Sequence, residues 1–255
     1  MDEFKERPKK EEEIKKDKDL IKVIEGVFDR RTELNTFFIM RELGVKKIFG
    51  PVSSGKEAKV FPAITNKGEW LAFKIYYVSA ASTKRAIAKY LEMGKERIIS
   101  SNTRKIITAW ARREFNNLET AFKAKVKVPE PITVKENVLV MKFIGENGKR
   151  AIHLYEYEAD ESSLYDIYNK IIKNLIKLVK CAKLIHSDLS EYNIMIHEGE
   201  AYFIDMSQAI SCSLPNSREF LSRDIRNILS FFKKKGIEEH REEDVIKMIE
   251  EGECD

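Results

Sequence analysis

The run His186-Ser187-Asp188-Leu189-Ser190-Glu191-Tyr192-Asn193, followed by Asp205 at the end of a short hairpin pattern, has the residue types and spacing to do chemistry. Moving a phosphoryl group from a nucleotide needs a carboxylate to orient the attacking hydroxyl. It also needs oxygen ligands that hold a divalent ion against the phosphates. HxDxxxxN…D supplies all three: Asp188 faces the nucleophile, Asn193 binds metal, and Asp205 bridges metal and phosphates. A lone Asp is better read as a helix cap or a solvated loop residue. An ordered set that follows a long helix and is divided by a hairpin is not explained that way.

Lys74 lies in the apolar run LAFKIY, where an ammonium without a partner is costly. Glu114, in the helical run AWARREFNNLETAF, is the favoured partner, because a strand lysine and a helix glutamate together position α- and β-phosphates. Glu119 competes for that role, and a lysine whose head reaches solvent is the plainer alternative. Residues 50–56, GPVSSGK, imitate a Walker A loop. Glu57, however, stands where Ser or Thr should meet magnesium, and a strand pattern follows instead of a helix. The better reading is a phosphate-covering turn that brings Ser53, Ser54, Gly55, Lys56 and Glu57 near the nucleotide. The stretch MKFI before Gly145 resembles an interlobe hinge whose backbone groups at Lys142 and Ile144 pair with adenine. His153 and His197 have no metal-ligand spacing and read as incidental.

The elements that must position these residues follow from periodicity. Residues 1–18 are mostly Lys, Glu and Asp, and Ile21, Ile24, Val27 and Phe28 then recur at helical spacing. A second helix is expected over 33–43, stopped by Gly44. VKKIFG, EAKVFPAI and EWLAFKIY, separated by SSG and TNKG, read as a three-stranded antiparallel meander. Residues 79–105, rich in Ser, Thr, Lys and Arg, read as a long insertion, and a helix follows over 106–123. VKVPEPITVKENVLVMKFIG adds two strands, divided at Pro129 and Pro131. Leu164, Ile167, Ile171, Leu175, Leu178 and Ala182 share one face of a helix reaching about residue 183. That helix delivers the chain to the HSDLSEYN loop. IMIHEGEAYFID is a hairpin turning at Glu198-Gly199, and helices are expected over 222–235 and 242–251. The expected organisation is a charged tail with helices over 1–44, an N-terminal lobe over 45–144 and a C-terminal lobe over 145–255.

The bulk properties agree. The 255 residues fit one large domain or two fused lobes, and 43% hydrophobic residues suffice for a core. Forty-six basic residues against 42 acidic leave a net charge of +4, compatible with a phosphate-rich partner. Cys181, Cys212 and Cys254 are odd in number and form no CxxC pair, which argues against a disulfide framework or a zinc site. Without an apolar run of about 20 residues or a signal-like N-terminus, a cytoplasmic protein is expected.

Together SSGKEAKVF, LAFKIY, REFNNL, MKFIG, HSDLSEYNIM and IDMSQAI resemble the RIO family of atypical protein kinases, most closely the Rio-one type. The resemblance covers nearly the whole chain after about Leu43. It implies an α+β, bilobal protein-kinase-like fold: an antiparallel sheet with one main helix in the N-terminal lobe, and a mainly helical, truncated C-terminal lobe without the usual peptide-docking elements. It further implies an ATP-dependent serine/threonine kinase or ATPase using Mg2+ or Mn2+ and acting in maturation of the small ribosomal subunit, with the small ribosomal subunit precursor as a partner. Lys74 and Glu114 would be the nucleotide-lysine pair, Asp188 the catalytic aspartate, and Asn193 and Asp205 the metal ligands. Asp205 is also a candidate aspartyl-phosphate, and Ser100, Ser101 and Thr103 are candidate autophosphorylation sites. Lys142 departs from a hinge position often acidic in relatives, and Met206 stands where ordinary kinases have Phe. Two other readings are a small-molecule kinase of the aminoglycoside-phosphotransferase kind and a nucleotide-switched ribosome-binding module. The GKEA turn argues against the first, and the complete catalytic set against the second.

Overall fold

A computed structural model describes residues 24, 27–78, 87, 90 and 102–254. Most of the expected N-terminal tail and first helix, most of the 79–105 insertion, and Ser100 and Ser101 lie outside the described residues.

Helix α1, Arg30–Glu42, starts where the Asp29 side chain accepts from the backbone N–H groups of Arg31 and Thr32. The expected start at 33 overlooked this cap. The helix ends before Gly44, whose φ of +61° favours a residue without Cβ. Strands β1 (Val45–Ile48), β2 (Ser53–Ser54), β3 (Ala58–Thr65) and β4 (Trp70–Tyr76) follow. With β5 (Pro131–Lys135) and β6 (Val138–Lys142) they form an antiparallel sheet ordered β1-β3-β4-β6-β5, with β2 on β3.

The period of two along β4 separates two tasks. Leu71, Phe73 and Ile75 join Ile39 and Met40 of α1, Phe61 of β3 and Val138 and Val140 of β6 in one apolar cluster. Ala72 and Lys74 turn to the opposite face and line a cleft. Helix α2, Thr103–Lys123, covers that face, and its buried Trp110, Ala111 and Leu118 belong to the second, larger core cluster. It starts three residues before the expected position because Asn102 caps it, so Thr103 is helical and not part of an insertion. The β5–β6 hairpin turns at Glu136, in left-handed conformation, and Asn137. Pro129 therefore precedes both strands and Pro131 opens β5, so neither divides the two.

The second half begins with β7 (Gly145–Glu146), β8 (Lys149–Arg150) and β9 (Ile152–His153), leading to α3, Glu161–Lys180. Buried Leu164, Ile167, Ile171, Leu175 and Leu178 on α3 match the periodic face. Strand β10 (Leu184–Ile185) pairs with β13 (Ile210–Ser211), and β11 (Ile194–His197) lies between β9 and β12 (Glu200–Phe203). Helix α4, Ser217–Lys234, starts five residues earlier than expected, and α5 covers Glu242–Glu251. No helix among the described residues is long and apolar enough to cross a membrane.

The cysteine expectation is also overturned. Cys181 and Cys254 form a disulfide, with Cα atoms 5.6 Å apart, and Cys212 is free. Residue spacing could not show this, because packing of α5 on α3 brings together cysteines 73 positions apart.

Candidate active site

A cleft of about 370 Å³ opens between the antiparallel sheet and the β9–β11–β12 sheet. Among its lining are Ser53, Gly55, Lys56, Glu57, Lys74, Lys142, Ile144, Asn193 and Asp205, all expected from sequence. Ser54 lies outside the lining, on β2 opposite Lys59. Glu114 is fully buried behind the lining, and Asp188 stands beside it, joined through Asn193 and Gln208.

Lys74 Nζ donates to Glu114 Oε1 at 2.8 Å and to Asp205 Oδ1 at 3.0 Å. Glu114 is thus the partner, whereas Glu119 pairs with Lys123 one turn along α2. Burial disfavours the Lys74 ammonium, but the Asp205 and Glu114 carboxylates outweigh it and raise the pKa. Burial pushes Glu114 up to about 7 against the pull of Lys74. Asp205 goes the other way: burial would raise its pKa, but Lys74 outweighs burial and holds its carboxyl below the usual range.

The loop bearing Asp188 is held from several sides. Ser187 and Leu189 donate their backbone N–H groups to the two oxygens of buried Asp224 on α4, at 2.8 and 3.0 Å. Arg223 donates to the Ser187 carbonyl, and Asn227 to that of Leu189 at 3.0 Å. His186 Nε2 donates to the Ile204 carbonyl at 2.9 Å, and burial lowers its pKa, so the ring is a neutral strut between loop and hairpin. Ser187 and Asp205 both have left-handed backbones, φ 68° and 60°, the kind of strain that clusters at functional sites. Asn193 Nδ2 donates to the Asp188 carbonyl at 2.7 Å and to Asp188 Oδ2 at 3.3 Å, and Gln208 Nε2 reaches the same Oδ2 at 3.2 Å. Burial and the Asp205 charge raise the Asp188 pKa, opposed by Arg223 and Asn193.

These bonds determine what remains for a metal. Asp205 Oδ1 is engaged by Lys74 and by Ser207 Oγ at 2.9 Å, and Asn193 turns its amide nitrogen to Asp188. Asp205 Oδ2 and Asn193 Oδ1 are left as hard oxygen donors, which suit Mg2+ or Mn2+.

At the hinge the expectation needs refinement. Lys142 gives its N–H to the Glu130 carbonyl at 2.8 Å, and the Ile144 carbonyl accepts from Ala151 at 3.0 Å. That leaves the Lys142 carbonyl as acceptor and the Ile144 N–H as donor. The Lys142 side chain points elsewhere, to Glu69 at 3.1 Å.

Sequence reasoning missed Gln208, Arg223, Asp224 and Asn227. Asp224 left a signal, since it falls on the apolar stripe of α4 beside Ile225 and Ile228, where a carboxylate requires a partner. His153, read as incidental, lines the cleft.

The RIO-domain family profile matches residues 59–245, spanning the Lys74 strand, the Asp188 loop and Asp205. The chain belongs to the RIO family of atypical serine/threonine-protein kinases. It is 40% identical over 224 residues to the RIO-type serine/threonine-protein kinase Rio1 of Haloferax volcanii, covering 87% of this chain and 75% of the relative. Rio1 of Methanocaldococcus jannaschii is 37% identical over 222 residues, covering 86% and 74%. Human RIO1 is 35% identical over 226 residues, 87% of this chain but 39% of the longer human protein. Among solved structures, the Chaetomium thermophilum Rio2 kinase in an ADP/Mg2+-phosphoaspartate complex superposes with a TM-score of 0.67 at 20% identity. That match covers 87% of this chain and 67% of the other. The RIO fold and the kinase-like arrangement of sheet, α2 and Asp188 loop are therefore shared.

Proposed function

We propose that the cleft transfers the γ-phosphate of ATP to a serine or threonine hydroxyl, with Asp188 orienting that hydroxyl. The observation that carries this reading is the convergence of Lys74, Glu114 and Asp205 at 2.8 and 3.0 Å, next to an Asp188 fixed by Asn193 and Gln208. Adenine would enter between the sheets, its amino group to the Lys142 carbonyl and its ring nitrogen to the Ile144 N–H. Lys74 would hold the α- and β-phosphates under the turn formed by Ser53, Gly55, Lys56 and Glu57. Asn193 Oδ1 and Asp205 Oδ2 would hold Mg2+ or Mn2+, whose contribution when bound is to neutralise charge on the phosphates. Asp188 would accept the hydroxyl proton as the hydroxyl oxygen bonds to the γ-phosphorus and the bond to the β–γ bridging oxygen breaks, releasing ADP.

Asp205 supports a second acceptor role. Its side chain is 45% exposed and Oδ2 is left by Lys74 and Ser207, so this oxygen, when it is not holding a metal, can itself attack the γ-phosphorus and displace ADP, giving an aspartyl-phosphate that water then hydrolyses. The chain's own Ser and Thr, including Thr103 at the start of α2, and a small ribosomal subunit precursor are the partners that the family resemblance brings to this proposal.

The test is incubation with γ-labelled ATP and Mg2+, following labelled protein and free phosphate together. Wild type is expected to label or release phosphate, with a loss of about 10²-fold or more in Asp188→Ala. Acid-stable label would mark Ser or Thr phosphate, and acid-labile label absent from Asp205→Ala would mark the aspartyl-phosphate. Wild type and both variants equally silent while binding ATP would overturn the proposal.

A further inference from the structure

We propose that Glu146, His197 and Glu198 form a site for a divalent transition-metal ion of the Zn2+ type, outside the nucleotide cleft. One ring nitrogen of His197 and one carboxylate oxygen from each glutamate lie within 4.8 Å of one another. Glu146 ends β7, while His197 ends β11 and Glu198 begins its turn. The three side chains thus come from two separate hairpins, and linear spacing could not reveal them. They border a surface hollow of about 390 Å³ whose lining includes Ala151, Ile152 and Ile196.

Charge pairing sets these glutamates apart from their neighbours. Glu200 meets Lys127 at 3.3 Å and Lys170 at 3.7 Å, Asp166 meets Lys170 at 2.7 Å, and Glu156 holds Arg150 at 2.7 Å. Among the described residues, Glu146 and Glu198 take part in no ion pair or side-chain hydrogen bond. Two unpaired carboxylates converging on an imidazole in a chain with 46 Lys and Arg leave a place for a cation that is not a side chain. Lys149, opposite Glu146 across the β7–β8 pair, and Lys170, whose Nζ donates to the Gly199 carbonyl at 2.7 Å beside Glu198, are nearby cations that compete.

The donor set selects the ion. Imidazole favours Zn2+, Co2+, Ni2+ or Cu2+ over Mg2+ and Ca2+. Tetrahedral binding with bonds of about 2.0–2.2 Å places ligand atoms about 3.4 Å apart. Side-chain rotation at exposed Glu146 and Glu198 can supply that closure. Three protein ligands leave a fourth position for water. An ion here would tie the hairpin that follows the hinge to the hairpin that runs from Asn193 to Asp205, fixing both against each other on the cleft floor.

The test uses the full chain without a polyhistidine tag, in excess Mg2+ so that the cleft oxygens are filled. Co2+ is followed by its visible d–d absorption, and Zn2+ by competition with a chromophoric chelator. One equivalent is expected to bind wild type, with affinity falling at least about tenfold in His197→Ala and in Glu146→Gln, and no change in Asp205→Asn. Absence of binding to wild type, undiminished binding in His197→Ala, or a loss in Asp205→Asn that moves the ion to the cleft would each overturn the proposal. None of these readouts depends on phosphoryl transfer, so failure here leaves the kinase reading intact, and the reverse.

Discussion

Lys74 satisfies two carboxylates at once, and the consequences of removing it differ for each. Glu114 is fully buried, and half-exposed Asp205 can turn to water. Lys74→Met should therefore destabilise the fold by about 3 kcal/mol, in the range for breaking a buried pair. Lys74→Met/Glu114→Gln should recover part of that loss, because the second change removes the orphaned charge. A double-mutant cycle by urea denaturation measures the coupling. Asp188 offers a pH test. Its raised pKa means that, as pH falls, the carboxylate takes up its proton above the usual Asp range, and activity is lost along an acid limb. Arg223 favours the charged form, so Arg223→Gln, which keeps a donor but removes the charge, should move that limb of the kcat/KM profile to higher pH. An unmoved limb would mean that another group controls it. Lys74, Asp188, Asn193 and Asp205 were legible in the sequence because each breaks a local pattern or belongs to an ordered motif. Arg223, Asn227 and Gln208 were not, since polar residues at such positions are ordinary until the fold shows which backbone carbonyl or carboxylate they meet.

At the scale of elements, α2 is tied to the segment after Asp205 by more than the Lys74 pair. Arg113 donates to the carbonyls of Ser207 at 3.1 Å and Ala209 at 2.6 Å, and Asn117 to those of Met206 at 2.8 Å and Ala209 at 3.3 Å. These bonds place Glu114 from the helix side while β4 places Lys74 from the sheet side, so the pair is assembled without any added group. Asn117→Leu should cost about 1 kcal/mol of stability per lost bond. It should also lower kcat by up to about a hundredfold, since small displacements of catalytic groups weigh heavily. Stopped-time phosphorylation assays beside thermal melts separate the two effects. Equal kcat in wild type and Asn117→Leu would show that Glu114 is placed without α2 being tied to this segment. The two-residue strands β2, β7, β8, β9, β10 and β13 are too short to show a period and were missed, whereas the longer helices and strands were read from periodicity with the right types and order. Their starts were missed where a polar cap, Asp29 or Asn102, lies outside the apolar pattern, and the β5–β6 turn was missed because Glu136 adopts a left-handed backbone that no glycine signals.

Across the whole molecule, everything from the end of α3 to the end of α5, including the Asp188 loop, Asp205 and α4, is enclosed by the Cys181–Cys254 bond. The chain-entropy model gives about 4 kcal/mol for closing a loop of this length, more than most single side-chain contacts supply. The thermal midpoint should therefore fall by about 8–16 °C on full reduction, at 2–4 °C per kcal/mol for a domain of this size. Cys181→Ser should show the same drop without reductant, and Cys212→Ser should change little, because that thiol is free. Phosphoryl transfer well below the midpoint should survive reduction, since Asp224, Arg223 and Asn227 hold the Asp188 loop through α4 independently of the bond. If reduction abolished activity at a temperature where the fold remained intact by circular dichroism, the bond would be positioning the loop, and Cys181→Ser would then lose activity to the same degree.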